Sequence, residues 1–461
     1  MNKKIFSYIV LFAVAGIVLA SCKVTQTYRQ PMADTDSLFR DTPPTDTNSI
    51  ADLHWNEIFT DTSLQRLIAE GIANNPDLQI AFARIQESQA YYLQSGAALL
   101  PTLSANAGVT ASKFSKTQST LNNATQYQLG LSSGWEADIW GKLSSSKRAN
   151  LANLLQTESA ARAVQTNLVA SIANYYYSLL ALDQQLTITQ QTVNNWDSTV
   201  QTMKALKEAA RVTEAAVVQS EAQRYGAEVT IPDIKQNIKQ IENALSILLG
   251  KPPSGIKRDS LQKEETATIL QTGVPAQLLA NRPDVQQAEQ NFRYFFELTN
   301  VARTYFYPSL TITGSAGLNA FSFSNLFRPG ALAASIGAGL TQPVFNQRAN
   351  KTRMEVAKAQ QQEALINFQN TLLKAGQEVS DAMSLYQNAV EKISIRANQL
   401  LALQKSVLYT QELLQNGFAT YTEIITARQS LLQAELGSVN DRLQQLQAIV
   451  DLYQALGGGW K

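Results

Sequence analysis

Four segments of this chain alternate between polar and apolar residues, position by position. The residues from Thr102 to Ala111 alternate without a fault, and those from Gln126 to Ser132 alternate again after a polar loop at 113–125. The second half of the chain repeats the pattern over 310–319 and 336–341. Because successive strand residues point to opposite faces, each segment predicts a strand with one polar and one apolar face.

Two settings suit such strands. In a soluble sandwich the apolar face packs on a second sheet, whereas in an outer membrane it faces lipid. A length of about ten residues suits a tilted strand that crosses a bilayer, and Trp135 and Trp140 after the first pair suit a girdle at the membrane interface. We therefore favour the membrane. Since open strand edges are not tolerated in lipid, we predict a twelve-strand barrel to which each of three chains contributes four strands.

Long helices occupy most of the remaining chain. The segment from Leu143 to Tyr225 contains neither Gly nor Pro, and 356–414 is interrupted only by Gly376. Apolar residues recur there in steps of three and four, which is the spacing of coiled-coil packing. In the first segment they include Leu168, Ile172, Tyr175, Leu179, Leu182, Leu186, Val193, Trp196, Val200 and Met203. About 65 residues of helix, at ~1.5 Å per residue, would reach roughly 100 Å.

Each long helix is expected to turn back and form a helical hairpin. Asn416 and Gly417 supply a helix stop in the second half, whereas 209–213 in the first half has weaker turn chemistry. Both returning helices are expected to begin with a threonine N-cap and an acidic residue in the first turn. These pairs are Thr213 with Glu214, and Thr420 with Glu423.

The chain also repeats itself at one fixed offset. Asn75-Pro76-Asp77-Leu78 returns as Arg282-Pro283-Asp284-Val285, 207 residues later, and two further motifs return at the same offset. We therefore predict two structural copies with the same order of elements. The expected organisation is an extended segment at 22–63, repeat 1 at 64–250 (β-hairpin 102–136, helical hairpin 143–249), a linker at 251–274, and repeat 2 at 275–461 (β-hairpin 309–343, helical hairpin 348–456).

The N-terminus reads as an export signal over residues 1–21. Lys3 and Lys4 precede an apolar run that is too short to span a membrane comfortably. The residues Leu19-Ala20-Ser21-Cys22 match a bacterial lipoprotein processing site, so Cys22 is predicted to carry the lipid. The other interpretation is an ordinary secretory peptide that happens to contain a cysteine. We favour lipidation, because the chain has no second cysteine to pair with Cys22.

Composition gives no support for an enzyme or a nucleic-acid binder. The formal charge is +1, and the chain has one histidine, His54, and one cysteine, so neither a metal site nor a nucleophile with its base is expected. No cofactor is predicted. Glu264 and Glu265 lie in the linker and are expected to be solvated. The run Gly457-Gly458-Gly459 lacks the context of a phosphate-binding loop and is expected to be a flexible end.

Several motifs together resemble the TolC-like outer-membrane factors, in their lipoprotein branch that serves multidrug efflux. The motifs are Cys22, Leu279-Ala280-Asn281-Arg282-Pro283-Asp284-Val285, Gly134-Trp135-Glu136-Ala137-Asp138-Ile139-Trp140-Gly141-Lys142 and Leu452-Tyr453-Gln454-Ala455-Leu456-Gly457-Gly458-Gly459-Trp460. The resemblance implies a homotrimer with a twelve-strand barrel in the outer membrane and a long helical barrel in the periplasm. It also implies two partners, a periplasmic adaptor (membrane fusion protein) and an inner-membrane transporter of the resistance-nodulation-division (RND) class.

In that family the periplasmic tip is closed at rest by contacts on the last helical hairpin. Carried over by position, these contacts would involve Leu414, Tyr421, Thr422, Thr426, Arg428 and Gln429, and opening would centre on Gly417 and Thr213. Relatives often place an acid at the position of Thr426 and an arginine at that of Gln429. We therefore expect a hydrogen-bonded or apolar constriction rather than an inter-subunit salt bridge. Two other functions stay open: a conduit for type I protein secretion, and a periplasmic coiled-coil adaptor.

Overall fold

The computed structural model describes residues 24–32, 38–40, 49–113, 123–264 and 277–461. Cys22 and the predicted export signal lie outside these ranges. Within them, no helix combines the length and the apolar character that a membrane-spanning helix needs.

Both halves of the chain run from helices through two strands to a long helix and a returning helix, but the first half has one more short helix at its start and a returning helix in two parts. The first half contains α1 (Trp55–Ile58), α2 (Thr62–Asn74), α3 (Pro76–Ala97), β1 (Thr102–Lys113), β2 (Asn123–Ala137), α4 (Lys142–Glu208), α5 (Glu214–Glu228) and α6 (Thr230–Leu248). The second half contains α7 (Leu278–Asn281), α8 (Pro283–Thr304), β3 (Ser309–Ala320), β4 (Leu332–Thr341), α9 (Ala349–Asn416) and α10 (Tyr421–Ala455). The predicted strands and the two long helices are confirmed, and α4 and α9 have 67 and 68 residues.

The chain divides into two compact units. The first comprises 84–158 and 287–368 with the N-terminal residues, and it holds the whole sheet, in which the strands are antiparallel in the order β1-β2-β3-β4. The predicted loop at 113–125 is too long, because Lys113 faces Asn123 at the end of the β1–β2 ladder. Backbone hydrogen bonds extend the strands there, although the side chains no longer alternate clearly.

The second unit comprises 33–83, 159–286 and 369–461 and is helical in its described residues. Most of the predicted coiled-coil positions of α4 are buried, including Ile172, Leu179 and Met203. Tyr175 is an exception, since it is exposed while Tyr176 and Tyr177 beside it are buried. The returning helix of the first repeat is also broken, between α5 and α6, and Pro232 accounts for the break because its ring cannot continue the helical hydrogen bonding of α5.

Two glycines close the two repeats by the same contact. Gly250 and Gly457 both have a positive φ, of 68° and 90°, and both lie against a backbone oxygen, that of Asn74 and that of Asn281 respectively. The two glycines are 207 residues apart, and so are the two asparagines. The prediction of a flexible end at 457–459 is therefore wrong, because all three glycines are buried and Gly458 packs on the ring of Tyr453.

Glu264 is not solvated as expected, whereas Glu265 lies outside the described residues. Glu264 is 7% exposed and hydrogen-bonds the carboxyl group of Asp61, which also accepts a hydrogen bond from the Tyr176 hydroxyl. Arg442 donates to the backbone oxygen of Glu264. Burial first, and then the hydrogen bond and charge of Asp61, raise the pKa of Glu264 to about 8.

This pKa predicts how stability depends on pH. Since the folded chain holds the proton more tightly than the unfolded chain, the contribution of Glu264 is complete at low pH and is lost as pH rises through about 8. Glu264→Gln keeps a neutral side chain at every pH, so its thermal midpoint should fall less than that of the wild type between pH 5 and pH 8. Thermal unfolding in detergent, followed by circular dichroism, measures both midpoints. Glu412→Gln, at an exposed site, is the control, and an equal fall in all three proteins would contradict the assignment.

Candidate functional site

The strand register places the large apolar side chains of the sheet on one face. Leu131 faces Ala105 on one side and Ala316 on the other, and Ala316 faces Ala334. The same parity holds along all four strands, so the alternations are in phase. The apolar face carries Leu103, Val109, Leu129, Leu131, Leu310, Ile312, Leu318, Leu332, Ile336 and Leu340. Several of these side chains are strongly exposed in the isolated chain, with Ile336 at 85% and Leu103 at 72%.

The opposite face is polar and almost free of charge. Its hydroxyl and amide side chains bond across strands, as Asn106 does to Ser132 at 2.8 Å, Gln126 to Asn319 at 2.9 Å and Ser315 to Ser335 at 2.8 Å. Among the described strand residues, Glu136 is the one ionisable group on this face, and its carboxylate lies 3.0 Å from Lys142. Such a surface can be wetted without binding ions strongly.

The two tryptophans lie where the strands meet the helices. Trp135 is on the apolar face of β2, and its indole nitrogen donates to the backbone oxygen of Leu99 at 2.9 Å. Trp140 follows β2, stacks on Tyr307 with a ring separation of 5.0 Å and donates to the oxygen of Pro308 at 2.7 Å. Each ring therefore has an apolar body and a satisfied polar end, which is the chemistry of a membrane interface.

The second group of candidate residues lies at the tips of the helical hairpins. Gly417, after α9, has a φ of 81°, and the first repeat has Ala210 at the equivalent position with a φ of 57°. Alanine in this left-handed region costs about 1–2 kcal/mol, so the first turn is strained where the second is relaxed. Thr213 and Thr420 precede α5 and α10, and Glu423 accepts a hydrogen bond from the backbone of Thr420 at 3.2 Å.

The first hairpin is held by ion pairs between α4 and α5. Lys207 pairs with Glu214, Lys204 lies 2.9 Å from Glu221, and Arg224 lies 2.5 Å from Asp197. All of these side chains are partly exposed, so solvent and salt screen each ion pair. Together they align the two helices.

Within the described residues, the equivalent part of the second hairpin has a single polar cross-link. Arg428 on α10 donates to the Gln411 side chain on α9 at 3.1 Å, while its buried Nε atom has no hydrogen-bond partner within the described residues. Burial lowers the pKa of the Arg428 guanidinium. Among the described residues of the chain, no carboxylate is paired with the Arg428 guanidinium. The Thr426 hydroxyl instead donates to the backbone oxygen of Thr422 at 2.9 Å.

The remaining candidates join the two hairpins. Leu414 is buried in a cluster with Met203 and Ile424, and Tyr421 packs on that cluster and on a second one around Trp196. The Gln429 amide donates to Gln223 at 2.6 Å. A further tie, which the sequence did not indicate, runs from Arg211 to the backbone oxygen of Gln415 at 3.1 Å. Its length and flexibility let Arg211 reach across between hairpins, and no local pattern marks such a contact.

Comparison with known proteins assigns the family. The profile of the outer membrane efflux protein family matches residues 67–251 and 274–458, two segments offset by 207 residues. This chain belongs to that family. Its members are passive channels of tripartite efflux systems rather than enzymes, and the location is the outer membrane. In the described residues no group of three or more metal-binding side chains comes together.

Individual relatives cover nearly the whole chain. The probable outer membrane lipoprotein SilC of Salmonella typhimurium is 26% identical over 99% of both chains, and the cation efflux system protein CusC of Escherichia coli O6:H1 is 29% identical over 98% of both. The open state of the outer membrane channel MtrE of Neisseria gonorrhoeae superposes with a TM-score of 0.86 at 25% identity, covering 95% of this chain and 99% of that one.

Proposed function

We propose that three copies of this chain form one passive conduit, with a twelve-strand barrel in the outer membrane and a helical barrel in the periplasm. The observation that carries the proposal is the common phase of the four strands, which gives a continuous apolar face and a continuous polar face. Lipid solvates the first and water the second. The polar faces of the long helices line the periplasmic part of the same path.

Lipid on Cys22 anchors the chain near the barrel. Thr25 packs beside Gly141, which lies between β2 and α4 close to Trp140. Trp135 and Trp140 supply the interfacial girdle at that level. An acyl chain on Cys22 would enter the same membrane leaflet.

The tips of the helical hairpins act as the gate. Residues Thr213, Glu214, Leu414, Gly417, Tyr421, Thr422, Thr426, Arg428 and Gln429 surround the two turns and the contacts between the hairpins. The second hairpin is the one that moves, since near its tip one described hydrogen bond joins its two helices, whereas three ion pairs join those of the first hairpin. A periplasmic adaptor opens the gate by binding the open arrangement more tightly than the closed one.

Small molecules, drugs among them, are the proposed cargo, and an inner-membrane RND pump supplies the energy. The almost uncharged polar face of the sheet supports a path of low selectivity. The competing function is type I secretion of proteins, in which an ATP-driven exporter takes the place of the pump.

Deletion of the gene separates these functions. Cells without this chain should accumulate a fluorescent dye that is an efflux substrate, and should recover when the wild-type gene is restored, while their secreted proteins stay unchanged. Measuring dye uptake and the culture supernatant in the same strains provides both results. Normal dye export together with loss of a secreted protein would contradict the efflux assignment and favour secretion.

A further inference from the structure

A cavity of about 220 Å³ lies where the strands meet the helices. Of the four described strand residues that line it, Glu136, Ser309 and Thr341 lie on the polar face of the sheet and Ala137 on the apolar face. The cavity therefore opens on the side that lines the path in the function proposed above. It is smaller than a drug-sized site of roughly 300–1,000 Å³, so it has room for one ring with a small charged group.

Three aromatic side chains form part of the cavity wall. Trp140 and Tyr307 stack on each other, and Tyr305 lies beside them in the lining. Two cationic groups lie over the Tyr305 ring: the guanidinium carbon of Arg353 is 3.9 Å from its centroid, and the Lys142 Nζ atom is 5.1 Å away. The wall thus attracts positive charge within the chain itself, as the faces of electron-rich rings do.

Two carboxylates line the cavity, and they differ in how they are used. Asp138 accepts hydrogen bonds from the backbone N–H groups of Leu143 and Ser144, both at 2.8 Å, so it caps the first turn of α4. Both oxygens of Glu136 instead face the Lys142 Nζ atom, at 3.0 and 3.1 Å. Since both side chains of this ion pair are partly exposed, water screens it, and a competing cation can replace the ammonium at little cost.

Lys142 has a second partner when it leaves the carboxylate. Its ammonium group already lies over the Tyr305 ring, so it can move away from Glu136 without losing every contact. The ion pair also limits which ions can replace Lys142. A small hydrated ion gains little from the rings, whereas an organic cation gains from the carboxylate and from the apolar bodies of Trp140 and Tyr307.

We propose that Glu136 and the aromatic wall form an exchange site for an organic cation that carries an aromatic ring and an ammonium group. The cation takes the place of Lys142 at the Glu136 carboxylate, and its ring lies against Trp140 and Tyr307. The site rests on the conduit proposed above and names a class of cargo that pauses where the strands meet the helices. It binds such cargo weakly, because the ion pair with Lys142 must open first.

Block of the ionic current through single channels tests the site. Three small probes separate its elements: phenyltrimethylammonium has a ring and a positive charge, tetramethylammonium has the charge without the ring, and benzenesulfonate has the ring with a negative charge. Each is added on the barrel side of a planar bilayer, so that it reaches the cavity without passing the tips. Phenyltrimethylammonium should block the wild type at a several-fold lower concentration than tetramethylammonium, and benzenesulfonate should not block it.

Two substitutions should move the block in opposite directions. Glu136→Gln removes the charge of the carboxylate and should raise the half-blocking concentration of phenyltrimethylammonium several-fold. Lys142→Gln removes the competing ammonium and should lower that concentration. A purely structural role of the ion pair would weaken the block in both variants. Glu412→Gln, which changes an exposed carboxylate of the second unit, is the control and should be blocked as the wild type is.

The outcomes separate the site from the conduit. Equal block of the wild type and Glu136→Gln would overturn the site, and so would weaker block in both variants. Equal block of the wild type by all three probes would also overturn it, and this comparison needs no variant to assemble. In each of these cases the channel still conducts, so the conduit stands. Absence of channel current from the wild type would overturn the conduit, and the site with it.

Discussion

Gly457→Ala is expected to lower the free energy of unfolding by about 3 kcal/mol. An alanine with the φ of 90° found at Gly457 is strained by about 1–2 kcal/mol. Its Cβ would also overlap the backbone oxygen of Asn281 and lie 2.8 Å from the backbone nitrogen of Arg282. Backbone atoms cannot move aside as a side chain can, and overpacking of this kind costs about 1–3 kcal/mol more.

The neighbourhood makes this site important for the second repeat. Arg282, which is 7% exposed, donates to the backbone oxygen of Ala455 at 2.8 Å and pairs with Asp284 at 2.7 Å. These contacts tie the start of α8 to the end of α10. A shift of the chain at Gly457 would disturb that tie, leaving a buried guanidinium or carbonyl without a partner.

Thermal unfolding in detergent provides the measurement, with Gly226→Ala as the matched control. Gly226 lies within α5, where a Cβ meets open space, and alanine is the better helix former by about 1 kcal/mol. The control should unfold at the wild-type temperature or above it. The thermal midpoint of Gly250→Ala, the repeat-related change, should fall as that of Gly457→Ala does. A midpoint for Gly457→Ala equal to that of the wild type would show that the contact does not constrain the fold.

Arg428→Ala is expected to raise channel conductance several-fold in planar bilayers. Among the described residues, the guanidinium of Arg428 supplies the one polar cross-link between α9 and α10 near the tip, to Gln411. Because the Arg428 guanidinium is partly desolvated, its hydrogen bond to Gln411 contributes only about 1 kcal/mol of net stabilisation. This still corresponds to a factor of about 5 in a two-state equilibrium. Loss of that contact in each chain shifts the tips toward the open arrangement.

Two further variants isolate the cause. Lys405→Ala removes a positive charge from the exposed surface of α9, so its conductance should remain that of the wild type. Gln411→Ala should match Arg428→Ala, and the double variant should add little to either, because both remove the same hydrogen bond. Unchanged conductance in Arg428→Ala would remove this residue from the gate.

Periodic patterns made the strands and long helices predictable. From 102 to 111 the alternation of polar and apolar residues predicts the face of the strand on which each side chain lies. The fixed offset of 207 residues then predicts the same elements in the second copy. The ends of the elements were harder to predict. β1 extends to Lys113 because its backbone is paired, and the returning helix of the first repeat breaks near Pro232, whose ring interrupts helical hydrogen bonding.

The sequence pattern does not predict contacts between residues that are far apart in the chain. Glu264 looks like a solvated linker residue and is buried against Asp61, 203 residues away. The glycines at 457–459 look flexible and instead fill a space in which Gly457 must avoid Asn281. The family resemblance places Arg428 and Tyr421 at the tips of the helical hairpins. Their partners within the chain depend on how the two hairpins pack, and no local sequence pattern indicates that packing.

Native mass spectrometry of the protein extracted from the outer membrane in detergent tests the central claim most directly. The shared barrel predicts a trimer, and lipidation at Cys22 predicts the added mass of acyl chains on each of its subunits. A trimer without that mass would contradict only the anchor. A monomer would leave β1 and β4 with open edges in lipid, and would contradict the barrel and the conduit together.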